Sequence, residues 1–186
     1  PPQGYMQNNN CSPFAMMKDS PMRAEKYISY IYNDGNNPGH QRAAMTLEEL
    51  DAAKEITLEK MLPIAFSTQV YKAEDWQKRI VAPCKTFAKA HGLNPEEILC
   101  ASIWNWNRRS TPDSEGALAF YAFKMGFENP EIRKAIEVPT ALDDKEVATA
   151  LTNAAKWMWA EFHSYNVPYG RYFRVGRQGG KTYPVG

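Results

Sequence analysis

The densest group of residues able to do chemistry lies at the start of the chain. Gly4-Tyr-Met-Gln-Asn-Asn-Asn-Cys-Ser-Pro13 is a polar run with apolar residues leading in and a proline leading out. Tyr5 and Met6 can pair into a strand. Asn8, Asn9 and Asn10 carry carboxamides that compete with the backbone for hydrogen bonds, which favours turns and αL geometry. Pro13 ends any regular pairing. Two readings stay open: a polar turn at a strand end, or a turn in which one rigidly held carboxamide donates its N–H to a developing oxyanion. Arg42, within Asn37-Pro-Gly-His-Gln-Arg42, is a second candidate. Its planar, permanently charged guanidinium can fix a carboxamide or carboxylate through paired donors. Taken alone it reads as an ordinary solvated helix arginine.

Other chemistry is sparse. Cys11, Cys84 and Cys100 are odd in number and widely spaced, which is neither a zinc pattern nor a disulfide framework. Buried free thiols are the expected state of Cys84 and Cys100. His40, His91 and His163 are scattered without ligand spacing, and neither a Gly-x-Ser-x-Gly elbow nor a P-loop is present.

The elements that must position these residues are mostly helical. Pro38 follows an asparagine cap and opens a helix to about Ala53, although Thr46-Leu-Glu-Glu49 has capping-box form and offers a later start. Thr57 caps a second helix to about Val70, with Pro63 early enough to be tolerated. Trp76, Ile80, Cys84, Phe87 and Ala88 form one apolar stripe over residues 73–91, kinked at Pro83 and closed by Gly92. Asn94-Pro95 opens the next helix, through Trp104. Asp113-Ser-Glu-Gly starts another, a short one follows over 130–137, and the last runs from about Asp143 to Tyr165. Beyond it, residues 169–175 alternate as a strand and Gly176 to Gly180 form a hairpin-like turn. Trp76, Ile80, Phe87, Leu118, Phe123, Leu151, Met158 and Phe162 should share one core.

At 186 residues the chain is long enough for one domain with a sizeable core. Hydrophobic residues at 44% and aromatics at 12% exclude a disordered chain. The 22 basic and 21 acidic residues leave a net charge of +1, so nothing indicates a nucleic-acid or acidic-membrane partner. No apolar run reaches the ~18 residues of a membrane span. Pro-Pro-Gln-Gly is not a signal peptide.

Gln-Asn-Asn-Asn-Cys-Ser-Pro resembles the segment that carries the oxyanion asparagine in the penicillin acylase / acyl-homoserine-lactone acylase family of N-terminal-nucleophile hydrolases. Laid on the pattern Asn-x-Asn-x-Ser/Thr/Asp-Pro, Asn8 and Asn10 fill the two asparagine positions, and Asn10 is the implied oxyanion donor. The stretch from Arg42 to Thr57 is similar to the family's run of arginine, apolar helix and threonine cap, which implies a supporting role for Arg42. Trp106-Asn-Arg-Arg-Ser-Thr-Pro-Asp-Ser-Glu-Gly-Ala117 looks like a further family block, with Asn107 where an acid is usual, and reads as structural. Tyr169 to Gly186 resembles the return from helices into the central sheet.

The resemblance implies a mainly α segment with short β strands at both ends, belonging to the β chain of an αββα hydrolase. Residues 1–20 would hold the strand and oxyanion loop, 21–165 the helices and 166–186 the return to the sheet. The parent would cleave an acyl chain from a small amine, such as an acyl-homoserine lactone or a β-lactam, in the periplasm or outside the cell. Its nucleophile would be an N-terminal Ser, Cys or Thr. Residue 1 here is Pro, so the isolated segment is expected to be inactive, with the α chain and the rest of the β chain as partners. No cofactor is expected in the segment itself. The family's structural calcium would lie mostly elsewhere, with Asp19 a faint ligand candidate. The rival reading is a non-catalytic helical interaction module, supported by Trp104, Trp106, Trp157 and Trp159.

Overall fold

The computed structural model describes residues 3–28, 41–92, 98–177 and 179–185, which fall into two units, residues 1–71 and 72–186. In the first unit, residues 3–28 form turns and two single-turn 3-10 segments, Pro13–Ala15 and Ala24–Lys26. The strand expected at Tyr5 and Met6 does not form among these residues. Helix α1 spans Gln41–Ala52, and the expected start at Pro38 lies outside the described residues. Thr46 sits inside α1, so Thr46 to Glu49 is not a cap. Helix α2 spans Leu58–Ala65, capped by Thr57, whose Oγ1 accepts from the Lys60 N–H at 3.4 Å. It stops at Ala65, well short of Val70, where the Phe66 N–H still bonds back to the Leu62 carbonyl at 3.0 Å. Ser67 Oγ donates to Glu49 Oε1 at 2.6 Å and ties the exit of α2 to α1.

The second unit is built around α5, Glu115–Met125, whose sequence is apolar on every side and which is accordingly enclosed. Around it pack α3 (Ala73–His91), α4 (Leu99–Trp104), α6 (Pro130–Lys134), α7 (Asp144–Phe162) and α8 (Tyr169–Tyr172). Trp76, Ile80, Leu118, Phe123, Leu151 and Met158 are buried as their helical spacing requires. Each such burial contributes roughly 1.5–3 kcal/mol. Phe162 is only half-buried, and the Phe87 side chain lies outside the described residues. Gly126 closes α5 where a Cβ would stand 2.2 Å from the Ala150 carbonyl oxygen, so only glycine admits the close approach of α5 and α7. α7 starts with a full capping box between Asp143 and Glu146. Arg79 reaches from α3 to the same end, bonding Asp144 Oδ1 at 2.6 Å and the Leu142 carbonyl at 2.8 Å.

Two expectations need correction here. Cys84 and Cys100 are not free thiols but a disulfide, with Cα atoms 6.2 Å apart. α3 and α4 pack side by side, and that proximity, invisible in a 16-residue separation, brings the sulfurs together. Residues 169–172 form the short helix α8 rather than strand. The chain then turns into an antiparallel hairpin, β1 (Arg174–Gly176) with β2 (Thr182–Pro184), in the register Arg174 to Pro184 and Gly176 to Thr182. The turn between them takes Gly179 and Gly180 at positive φ, as the glycine run anticipates. Asn94-Pro95 lies outside the described residues. Mainly helical architecture is thus observed, with strands only near the C-terminal end of the described chain.

Candidate functional site

Gln7 is what closes the asparagine loop. It is 7% exposed, its backbone N–H donates to the Met16 carbonyl at 2.9 Å, and its side-chain Nε2 donates to the Ala15 carbonyl at 2.6 Å. The same Nε2 lies 3.4 Å from Cys11 Sγ. Its Oε1 accepts from the Asn9 N–H at 2.9 Å, while Asn8 Oδ1 accepts from the Asn10 N–H at 2.9 Å. Two consecutive side-chain-to-backbone turns therefore wind residues 7–10, and Asn10 sits at φ 55, the αL region that asparagine tolerates best after glycine. Ser12 Oγ then accepts from the Phe14 N–H, and Pro13 begins the 3-10 turn with its φ already set. Ser20, 2% exposed, donates to the Pro13 carbonyl at 3.0 Å and holds the far side.

The loop is tied to α1 by Asn9. Its Nδ2 donates to Thr46 Oγ1 at 2.7 Å and to the Arg42 carbonyl at 3.3 Å. Tyr5 adds a second tie through its hydroxyl, which donates to Asp51 in a very short contact. Burial, then that hydrogen bond and the Asp51 charge, pushes the Tyr5 hydroxyl up to about 12. The structure thus brings the backbone at Arg42 beside the asparagine run. The contact runs through the backbone oxygen of Arg42 and through Asn9. The Asn10 side chain and the Arg42 side chain are both exposed.

The hydroxyls and thiol around the turn are engaged in structure. Thr46 receives Asn9, Ser12 caps, Ser20 braces, and Cys11 accepts from Gln7. What the turn offers chemically is side-chain carboxamides on a defined backbone. Asp19 occupies an αL turn at φ 51. Among the described residues no group of three or more His, Cys, Asp or Glu is placed to hold a metal ion. Reasoning from sequence missed Gln7 and Asn9 as the structural pair of the loop. The available signal was Gln7 two residues before Asn9, the spacing of a side-chain-to-backbone turn.

The block from Trp106 to Ala117 is structural. Trp106 Nε1 donates to the Arg109 carbonyl at 2.8 Å, and Asn107 Oδ1 accepts from the Arg109 N–H at 3.1 Å. An acid at 107 would make the same acceptor bond, which is how asparagine replaces it. Gln77, buried, donates to the Ile103 and Trp106 carbonyls and closes the end of α4. A Cβ on Gly116 would come within 2.2 Å of Trp106 Cβ, so the glycine lets α5 start against α4. The Pro112 and Ser114 carbonyls receive the N–H groups of Gly170 and Tyr169 at 2.8 Å each and seat α8.

A comparison with curated proteins yields no match. Residues 1–172 match the penicillin amidase family, and that span takes in the asparagine turn, Arg42 and the Trp106 block. With 172 of the 186 residues matched, the chain belongs to the penicillin amidase family of acylase-type amide hydrolases.

Proposed function

We propose that this chain is a segment of the β chain of an N-terminal-nucleophile amidohydrolase that releases an acyl chain from a small amine, such as an acyl-homoserine lactone or a β-lactam. In this reading an N-terminal Ser, Cys or Thr outside these residues attacks the amide carbonyl. Its α-amine takes the proton and passes it to the leaving amine. The Asn10 carboxamide donates to the tetrahedral oxyanion, where charge exists mainly in the transition state. Arg42 supports the site by its charge at the start of α1. The α chain and the rest of the β chain are the partners, and any structural calcium is held by them. The observation that carries the reading is the family match across the turn and Arg42, on a loop whose backbone is wound by Gln7 and Asn8. A periplasmic or extracellular location is supported by the Cys84–Cys100 disulfide, since such bonds persist where thiols are not kept reduced.

The test is steady-state hydrolysis of acyl-homoserine lactones and penicillins by the intact parent protein, with Asn10 varied. Asn10→Ala should lower kcat by about 10²–10³ with KM little changed. Asn10→Asp should be at least as damaging, because a carboxylate cannot donate. A wild-type kcat in a folded Asn10→Ala variant removes Asn10 from the mechanism, and absence of amide hydrolysis by the parent removes the reading. One observation favours the interaction module instead: Leu58, Leu62 and Phe66 on and beside α2 are 71%, 49% and 77% exposed. Inactivity of the parent toward every acyl amide would favour it.

A further inference from the structure

Outside the asparagine loop, the second unit contains a pocket of roughly 430 Å³ between the end of α5, α6, α7 and α8. Its size falls in the lower part of the range of small-molecule sites, about 300–1,000 Å³. Three aromatic side chains make one wall. Trp157 and Tyr172 meet edge to face at 5.2 Å between ring centroids, and Tyr121 lies 6.2 Å from Tyr172. All three are only partly covered by protein, with Tyr172 43% exposed.

Other lining residues are polar. Asn153 is fixed there by its Nδ2, which donates to the Gly126 carbonyl at 3.0 Å. Arg133, half-buried at the rim, uses Nη2 to bond the Glu128 carbonyl at 2.9 Å. Its Nε is enclosed and has no hydrogen-bond partner, and Nη1 makes no bond to a described residue. A guanidinium with one nitrogen sequestered and another unpaired is an unmet demand for an acceptor, since an enclosed unpaired donor is costly. The acceptor geometry that fits a guanidinium best is a carboxylate, held by two parallel N–H bonds.

We propose that this pocket binds a small monocarboxylate with a flat aromatic body. The ring system lies against Trp157, Tyr121 and Tyr172, and the carboxylate meets Arg133. Glu128 also lines the pocket, and its negative charge disfavours a second one on the ligand. An uncharged aromatic of equal shape leaves Arg133 unanswered. The site is separate from the asparagine loop and does not rest on the catalytic reading.

The experiment titrates the purified protein with 2-naphthoate and with its uncharged counterpart 2-naphthamide, by calorimetry and by following the Trp157 indole N–H signal. The expected result is saturable binding of the naphthoate with the Trp157 signal shifted, and at least about tenfold weaker binding of the amide. Arg133→Gln, verified as folded by circular dichroism, should lose that preference, and Arg133→Lys should restore it only in part. Equal binding of acid and amide, no binding of the naphthoate at millimolar concentration, or an unmoved Trp157 signal overturns the proposal. The acid–amide comparison on the wild-type protein decides the matter even where an Arg133 variant does not fold.

Discussion

Asn9 and Asn10 are adjacent and chemically identical, yet the structure gives them different work. Asn9 spends its carboxamide on Thr46 and on the Arg42 carbonyl, while Asn10 adopts αL backbone with an exposed side chain. Asn9→Ala should therefore act on stability, costing about 0.5–1.5 kcal/mol for the Thr46 bond, with kcat of the parent enzyme reduced far less than by Asn10→Ala. Thermal melting beside steady-state kinetics on the two variants checks this. A loss of kcat in Asn9→Ala as large as in Asn10→Ala would make the loop's posture, rather than one donor, the quantity that matters.

Within the elements, Lys124 is the residue that the pattern of α5 least prepares for. It is 6% exposed, its ammonium sits 3.8 Å above the Trp76 ring, and it bonds the Ile132 and Ala135 carbonyls at the end of α6. Burial lowers it from the ordinary lysine value of 10.5 to about 8. Between those two values the unfolded chain keeps the proton that the folded chain has released. Stability from this group is thus fully present above 10.5 and lost as pH falls through 8. Urea unfolding should show the wild type gaining on the order of 1–3 kcal/mol relative to Lys124→Met between pH 7.5 and pH 10. Parallel pH profiles for the two proteins would contradict it. The Cys84–Cys100 bond joins α3 to α4, and opening it in a Cys84→Ser/Cys100→Ser double variant should cost about 3 kcal/mol for a loop of this length. Unfolding under non-reducing conditions reads that difference.

For the whole molecule, the second unit is organised by one enclosed helix. Leu118 is fully buried near the middle of α5, where α4, α5 and α7 converge. Leu118→Ala should lower unfolding free energy by about 2–5 kcal/mol, because the close approach at Gly116 and Gly126 leaves neighbouring backbone little freedom to collapse into the void. A cost under 1 kcal/mol by denaturant titration would mean that α5 is not the organising element. The first unit has a thinner apolar interior, with Ala15, Ala43 and Leu50 its buried apolar residues among those described, and relies on side-chain ties between loop and helix.

Sequence alone determined α3, α5, α6 and α7 of the second unit, because apolar spacing and end signals such as Pro130 and Gly92 are local and local geometry obeys them, whereas it read α8 as strand. The expected nearness of Arg42 to the asparagine run came from resemblance rather than from physics, and the tie the structure shows runs from Asn9 to the Arg42 carbonyl. Only the tertiary structure decided that Asn9 makes the tie to α1, because the choice depends on where Thr46 comes to rest 37 positions away. The disulfide is of the same kind. Nothing in the spacing of Cys84 and Cys100 marks them as a pair until α3 and α4 lie side by side. The strand expected at Tyr5 gave way for a related reason: a strand needs a partner edge, and among the described residues none is there, so Gln7 draws the chain into a closed loop instead.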